Sequence, residues 1–399
     1  MTIRSQVFHK LALSAVLFTV PLHAAFAQDA NAVAERLKKV LADQSMNFAW
    51  TGVSGDASSL VLEGVTFTPA GGTEAFALGK VTLDGVTDQN GGYRIETIST
   101  EPYNVTEDGA TIDVGALTFT GVVLPPLGAI DPVDSLLMYE GAELANVSVK
   151  MADQTAFSMD GLSIEVTPPA DGAALEFSGS AESFTADLTL VEDPQSKAVI
   201  EALGYQTING DFELAGSWQP TDGRISLSQY DISVEDAGTF GLSFELGGYT
   251  PAFLKSLQDM QKQMAAQPEG ADNSAQGLAM LGLMQQLTFH TANIRFDDDS
   301  LTGKILEYVA KQQNMKPEDI ANQAKAIVPF LAGQLNNPEL SAQITTAVTK
   351  YLDAPASIEI DATPAAPVPF ALIAAGGMAN PMELPKTLGV TVTANEAAE

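Results

Sequence analysis

Gly210-Asp-Phe-Glu-Leu-Ala-Gly-Ser-Trp218 sets the fold class of this chain. On an extended backbone Phe212, Leu214 and Trp218 fall on one side, with Gly216 between them. Asp211, Glu213, Ala215 and Ser217 fall on the other. A period of two with one apolar and one polar side marks an antiparallel strand wet on a single face. Ile225 and Leu227 repeat the pattern against Arg224 and Ser226.

The same rhythm runs for about 200 residues around this stretch. It predicts strands at 60–68, 79–87, 93–99, 111–123, 142–151, 156–167, 174–190, 210–218, 224–234, 240–246 and 287–296. A loose echo recurs within it: Leu62-Glu-Gly-Val-Thr-Phe, Leu83-Asp-Gly-Val-Thr and Met159-Asp-Gly-Leu-Ser-Ile. Leu144-Ala-Asn-Val-Ser-Val is a relative without the acid or the glycine. The glycine is expected at a bulge or bend. The spacing of the echo is too irregular for a propeller or a hexapeptide β-helix.

Helical spacing brackets the strands. Val33, Leu37, Val40 and Leu41 form a stripe over 30–43. Phe253, Leu254, Leu257 and Met260, then Met280, Leu281, Leu283 and Met284, predict a helical hairpin packed on the sheet. Ile305, Leu306 and Val309 are expected to point inward from a helix beginning at Leu301, which Ser300 or Asp299 caps. Pro317-Glu-Asp begins the next helix, with Ile320, Ala324, Ile327 and Val328 as its stripe, and Pro329 is expected to bend or end it. Leu340, Ile344, Val348 and Leu352 mark another helix over 338–352. The tail predicts strands at 356–361 and 388–394 around a short apolar helix at 370–378. The expected architecture is mainly β with α insertions. It is a long curved antiparallel sheet packed against helices, with a groove that is either open or filled. The expected domains are a leader at 1–27, a helix at 28–44, and one extended β domain at 45–399 with helical insertions at about 251–286 and 301–352.

The leader reading rests on Arg4 and Lys10, the apolar run from Leu11 to Val20, and the small residues Ala25 and Ala27 before Gln28. Together these read as a secretory signal cleaved after Ala27, too short for a comfortable membrane span. The chain has 399 residues and no cysteine, which suits export to a Gram-negative periplasm without disulfides. Its 50 Asp and Glu against 19 Lys and Arg, net −31, oppose nucleic acid and anionic lipid head groups at long range.

Candidate chemistry is sparse. His9 and His23 lie in the leader, so His290 alone remains and a histidine-rich zinc site is excluded. On simple alternation His290 shares a face with Thr288, Ala292, Ile294 and Phe296, away from any acid of its own strand, which reads as a sheet or core histidine. Asp297, Asp298 and Asp299 lack the twelve-residue calcium loop and read as helix capping. No nucleophile elbow or phosphate loop is present. The sequence therefore assigns no catalytic, cofactor-binding or metal-ligating residue and no cofactor.

Leu62-Glu-Gly-Val-Thr-Phe, Gly210 to Trp218, Ile294-Arg-Phe-Asp-Asp-Asp-Ser-Leu301, Pro355-Ala-Ser-Ile-Glu-Ile and Leu388 to Asn395 carry a resemblance. The chain resembles the AsmA-like and YdgA-like bacterial envelope proteins across most of 45–395. That resemblance implies an elongated curved sheet, in some members with an apolar groove, and a role in lipid movement or envelope homeostasis. It implies no catalytic residues. The functional expectation is a non-enzymatic periplasmic envelope protein that binds lipid or another apolar ligand along a sheet groove. The alternatives are a filled structural or protein-interaction scaffold, or a hydrolase with an unrecognised carboxylate site. The expected partner is a lipid or an envelope protein, with no nucleic acid and no stable span once the leader is removed.

Overall fold

The computed structural model describes residues 23–44, 46–56, 58–68, 75–107, 109–128, 137–152, 154–169, 173–265, 274–335 and 337–397. Most of the expected leader, residues 1–22, lies outside them. Eighteen strand segments join one sheet. β1 (Asn47–Ala49) and β2 (Gly52–Asp56) share one side of β3 (Ser59–Thr68), and β4 (Phe76–Gln89) takes the other. β5 (Gly92–Thr100) pairs with β4. β5 and β6 (Tyr103–Glu107) face β7 (Ala110–Val114) and β8 (Leu117–Leu124) as one long hairpin, because Tyr93–Leu124, Ser99–Thr118, Tyr103–Val114 and Glu107–Ala110 keep a single register.

β9 (Gly141–Met151) pairs with both β7 and β8. β10 (Gln154–Thr167), β11 (Leu175–Asp187), β12 (Thr207–Gln219), β13 (Arg224–Val234), β14 (Gly238–Gly247) and β15 (Thr288–Asp298) then follow, each antiparallel to the last. β16 (Ser357–Ala362) and β17 (Val368–Pro369) both pair with β15, and β18 (Val390–Ala394) ends the series on β16. The outermost strands do not pair with each other, so the sheet is not closed into a barrel.

The helices are α1 (His23–Asp43), α2 (Pro194–Leu203), α3 (Pro251–Ala265), α4 (Ser274–Met284), α5 (Leu301–Gln313), α6 (Pro317–Gly333), α7 (Pro338–Asp353), α8 (Phe370–Ala379) and α9 (Leu384–Thr387). Among the described residues none is long and apolar enough to cross a membrane.

Burial is concentrated at the two ends of the strand series. The α1 stripe Val33, Leu37, Val40 and Leu41 is buried as expected, and Leu60, Leu62, Val65, Leu83, Ile95 and Leu124 beneath it are shut off from water. Each such side chain contributes roughly 1.5–3 kcal/mol. Arg36 fixes the helix by donating to the Pro125 carbonyl at 2.6 Å. At the far end α7 lays Ala347 and Tyr351 against Ala394, Ile358 and Val392. The Tyr351 hydroxyl meets Thr302 Oγ1 at 2.5 Å, and burial raises the phenol above its ordinary pKa.

Several expectations need correction. The hairpin of α3 and α4 does not shield the sheet throughout: Phe253 and Met260 are buried, but Met280, Leu281 and Met284 are exposed. Ile305 and Ile327 also face solvent. The buried residues of α6 are Ala321 and Ala332 instead. Of the two outcomes expected at Pro329, a bend or an end, the end is excluded, because α6 continues to Gly333. Ser300 Oγ turns to the Asp236 carbonyl, so the acceptor at the start of α5 is Asp298 Oδ1, 2.8 Å from Thr302 N. α2, α9, β1, β2, β6 and β17 were not anticipated.

The echo glycines behave as bends. Gly64, Gly85 and Gly161 have φ of 60°, 66° and 62°. At Gly64 the ladder shifts register; at Gly161 it resumes unchanged after a local kink. A Cβ on Gly161 would lie 2.5 Å from Cγ of Glu182, so both the backbone conformation and the close approach require glycine.

Candidate functional site

Paired residues in an antiparallel ladder point to the same face, so the register converts the strands into rows. One largely polar row runs from β4 to β18: Thr82, Ser99, Thr118, Glu143, Ser163, Ser180, Glu213, Asp231, Gly241, Arg295, Glu359 and Thr393. The opposite face is apolar along its length. One of its rows runs through Leu60, Leu83, Ile98, Phe119, Ala142, Ile164, Gly179, Leu214 and Tyr230. Leu242, Ile294, Ile360 and Val392 continue the same face across the later strands. A neighbouring row joins Val166, Phe177, Gly216, Leu227, Phe244, Ala292, Ala362 and Val390.

These rows are sealed at their beginning and uncovered in their middle. Between Glu143 and Gln206, Ala181 is the one buried residue among those described. Ile164, Val166, Phe177, Leu214, Leu227 and Tyr230 are only half-buried. Ile294 and Ile360, with strands on both sides, are still 42% and 44% exposed. Where the sealed core stops, Leu137, Met138, Tyr139, Ile164, Val166, Leu175, Phe177 and Leu214 line a hollow of about 340 Å³. Leu137 and Tyr139 belong to the rim of that core. Every lining side chain is apolar or aromatic, so the hollow suits hydrocarbon and offers little to orient a charged group.

The polar face carries the densest charge cluster. Arg295 grips Asp297 through Nε at 2.8 Å and Nη2 at 2.7 Å, reaches Glu359 through Nη1 at 3.1 Å, and donates to the Glu396 carbonyl at 3.1 Å. Asn293 Nδ2 donates to Glu359 and to Asp361, the latter at 2.6 Å. The two carboxylates of Asp297 and Glu359 raise the Arg295 pKa further. With its fork committed on all sides, Arg295 ties β15, β16 and the tail together and is not poised to receive an anion.

His290 sits elsewhere than simple alternation places it. A bulge between β14 and β15 pairs Leu246 with Phe289 and Glu245 with Thr291, leaving His290 as the extra residue. Phe289 therefore joins the apolar face. His290 Nε2 lies 3.2 Å from Thr288 Oγ1, and Nδ1 lies 4.0 Å from Glu245. Hydroxyl, imidazole and carboxylate fall in sequence, but 4.0 Å exceeds a hydrogen bond and Glu245 is engaged by Arg224. Asp297 to Asp299 do not converge either, and among the described residues no group of acids and histidine is placed to hold a metal ion.

Residues 231–395 match a family model described as "Uncharacterized protein". That span begins within β13 and includes the Arg295 cluster, α4 and α8, whereas the hollow precedes it. No curated protein matches the chain.

Proposed function

We propose that this chain is a non-enzymatic envelope protein of the periplasm that lays an acyl chain, or a ligand of like chemistry, along the uncovered middle of a curved sheet. The observation that carries the reading is the apolar row from Ile164 through Leu214 to Tyr230, half-exposed beside a hollow of about 340 Å³. Moving each methylene out of water gains roughly 0.8 kcal/mol, so affinity grows with chain length and needs no charged anchor. The committed Arg295 fork and the net charge of −31 oppose recognition through an anionic head group. The leader motif and the envelope-protein resemblance supply the compartment.

The test is lipid mass spectrometry on protein extracted natively from its own envelope. Near-stoichiometric lipid that is lost in Leu214→Asp supports the reading. A lipid-free chain would leave the filled-scaffold alternative ahead, and lipid retained in that variant would put it elsewhere than on this strip and overturn the reading.

A further inference from the structure

Two long stretches of this acidic chain are free of charge. None of Asp, Glu, Lys or Arg occurs between Asp272 and Arg295, nor between Asp361 and Glu383, although 17% of all residues are charged. The fold brings these distant stretches to the same end of the sheet. Thr288 pairs with Pro369 and Phe289 with Val368, Phe370 N donates to the Leu287 carbonyl at 3.0 Å, and α4 touches α8.

Burial does not account for this composition. α8 contains no buried residue, with Leu372 62% and Met378 80% exposed. Met280, Leu281 and Met284 on α4 and Met382 just beyond α8 are exposed as well. Neither helix has a charged face. A helix that is apolar all round belongs in an apolar medium, whereas a helix docked on a protein surface needs only one apolar stripe. Methionine-rich surfaces are also adaptable, which suits disordered hydrocarbon better than a rigid partner.

Geometry limits the depth. α8 has 10 residues and α4 has 11, so each is about 15 Å long. That is about half of a 30 Å hydrocarbon core. Charge returns at the rim with Glu383 and Lys386 beyond α8 and Lys255 and Asp259 on α3. The apolar face leads to this place: Leu175, Trp218, Ile225, Leu246, Phe289 and Val368 form a row that stops two residues short of α8.

We infer that α4 and α8 form a tip that inserts into one leaflet of a lipid bilayer, with the acyl layer of a neutral-headgroup membrane as the occupant. This inference stands apart from ligand binding on the sheet: the tip could anchor the protein whether or not the hollow holds a lipid.

The experiment uses the full chain with phosphatidylcholine vesicles. The protein is expected to float with the vesicles, and Leu281→Asp combined with Met378→Asp is expected to lower the bound fraction at least tenfold. Met151→Asp, which removes an exposed apolar side chain of β9, six strands from β15 and at the opposite end of the ladder, is expected to float like the parent. Leu372→Trp provides a second readout in a conservative variant: the emission it adds to that of Trp50 and Trp218 should shift to the blue on binding and be quenched by lipids brominated on the acyl chain. Failure of the parent to float, flotation unchanged in the double variant, or an unquenched Trp at 372 would overturn the inference. So would a dimer in size-exclusion chromatography that the double variant converts to monomer, since a second copy would then be the occupant.

Discussion

Truncating one leucine at each of two positions in the same cross-sheet row separates a sealed core from an open one. Leu83 is 0% exposed and lies between Leu60 and Ile98, both buried. Leu83→Ala removes three carbons at roughly 0.8 kcal/mol each and leaves a cavity that α1 and its neighbours cannot collapse, for a total of about 3–4 kcal/mol. Leu214 stands between Gly179 and Tyr230, half-buried beside the hollow. Its truncation enlarges a space that water already reaches, so no enclosed cavity is added and the loss is about 1 kcal/mol. Equilibrium urea unfolding of the full chain, followed by Trp50 and Trp218 fluorescence, measures both. Trp50 packs against the sealed core and Trp218 lies toward the other end of the apolar face, so an uncoupled transition would also be visible. Equal losses at the two positions would refute the reasoning, because the middle of the sheet would then be as filled as its beginning.

Arg295→Met should lower stability by about 1–2 kcal/mol in thermal melts, since it strands Glu359, only 20% exposed, while Asp297 at 49% exposure recovers water. Arg295→Lys should recover only part, because a point charge cannot reproduce the fork. Gly161→Ala should cost about 1–2 kcal/mol, and adding Glu182→Ala should relieve the steric share but leave the share due to φ of 62°. Arg94 donates to Glu140 and holds its pKa below the ordinary 4.5. Glu140 therefore contributes stability that is present above pH 4.5 and lost as pH falls through the lowered value. Arg94→Gln should remove only a few tenths of a kcal/mol at neutral pH, because the side chains are 35% and 49% exposed. The gap from the parent should close in acid denaturation curves below that range.

What could be read before the structure was what local alternation controls. Phe212, Leu214 and Trp218 lie on one face and Glu213 on the other because a strand has a period of two. The echo glycines mark bends because only glycine takes positive φ freely. The bulge at His290 was not legible: it depends on the register against β14 and moves Phe289 to the opposite face. α2 carried a signal that could have found it. Asp193 caps Ser196 N at 2.7 Å, Pro194 opens the helix, and Gly204 at φ 80° closes it. The Arg295 cluster shows in sequence only as polar residues two apart, Asn293 and Arg295, then Glu359 and Asp361; their meeting depends on a pairing across more than 60 positions. Where the helices come to rest is likewise a matter of long-range packing. Amphipathic spacing in Ala252 to Met284 promised a cover for the sheet, yet α4 ends at its tip with its methionines in solvent.

A fatty acid bearing a photoreactive diazirine on its tail, activated on the full chain and followed by peptide mapping, reports what lies against the apolar face. Adducts are expected on 162–167, 175–181 and 212–216, the segments whose inward residues surround the hollow, and their yield should fall when unlabelled fatty acid competes. Labelling confined to α4 and α8, or spread evenly without competition, would contradict an acyl-binding strip in the middle of the sheet.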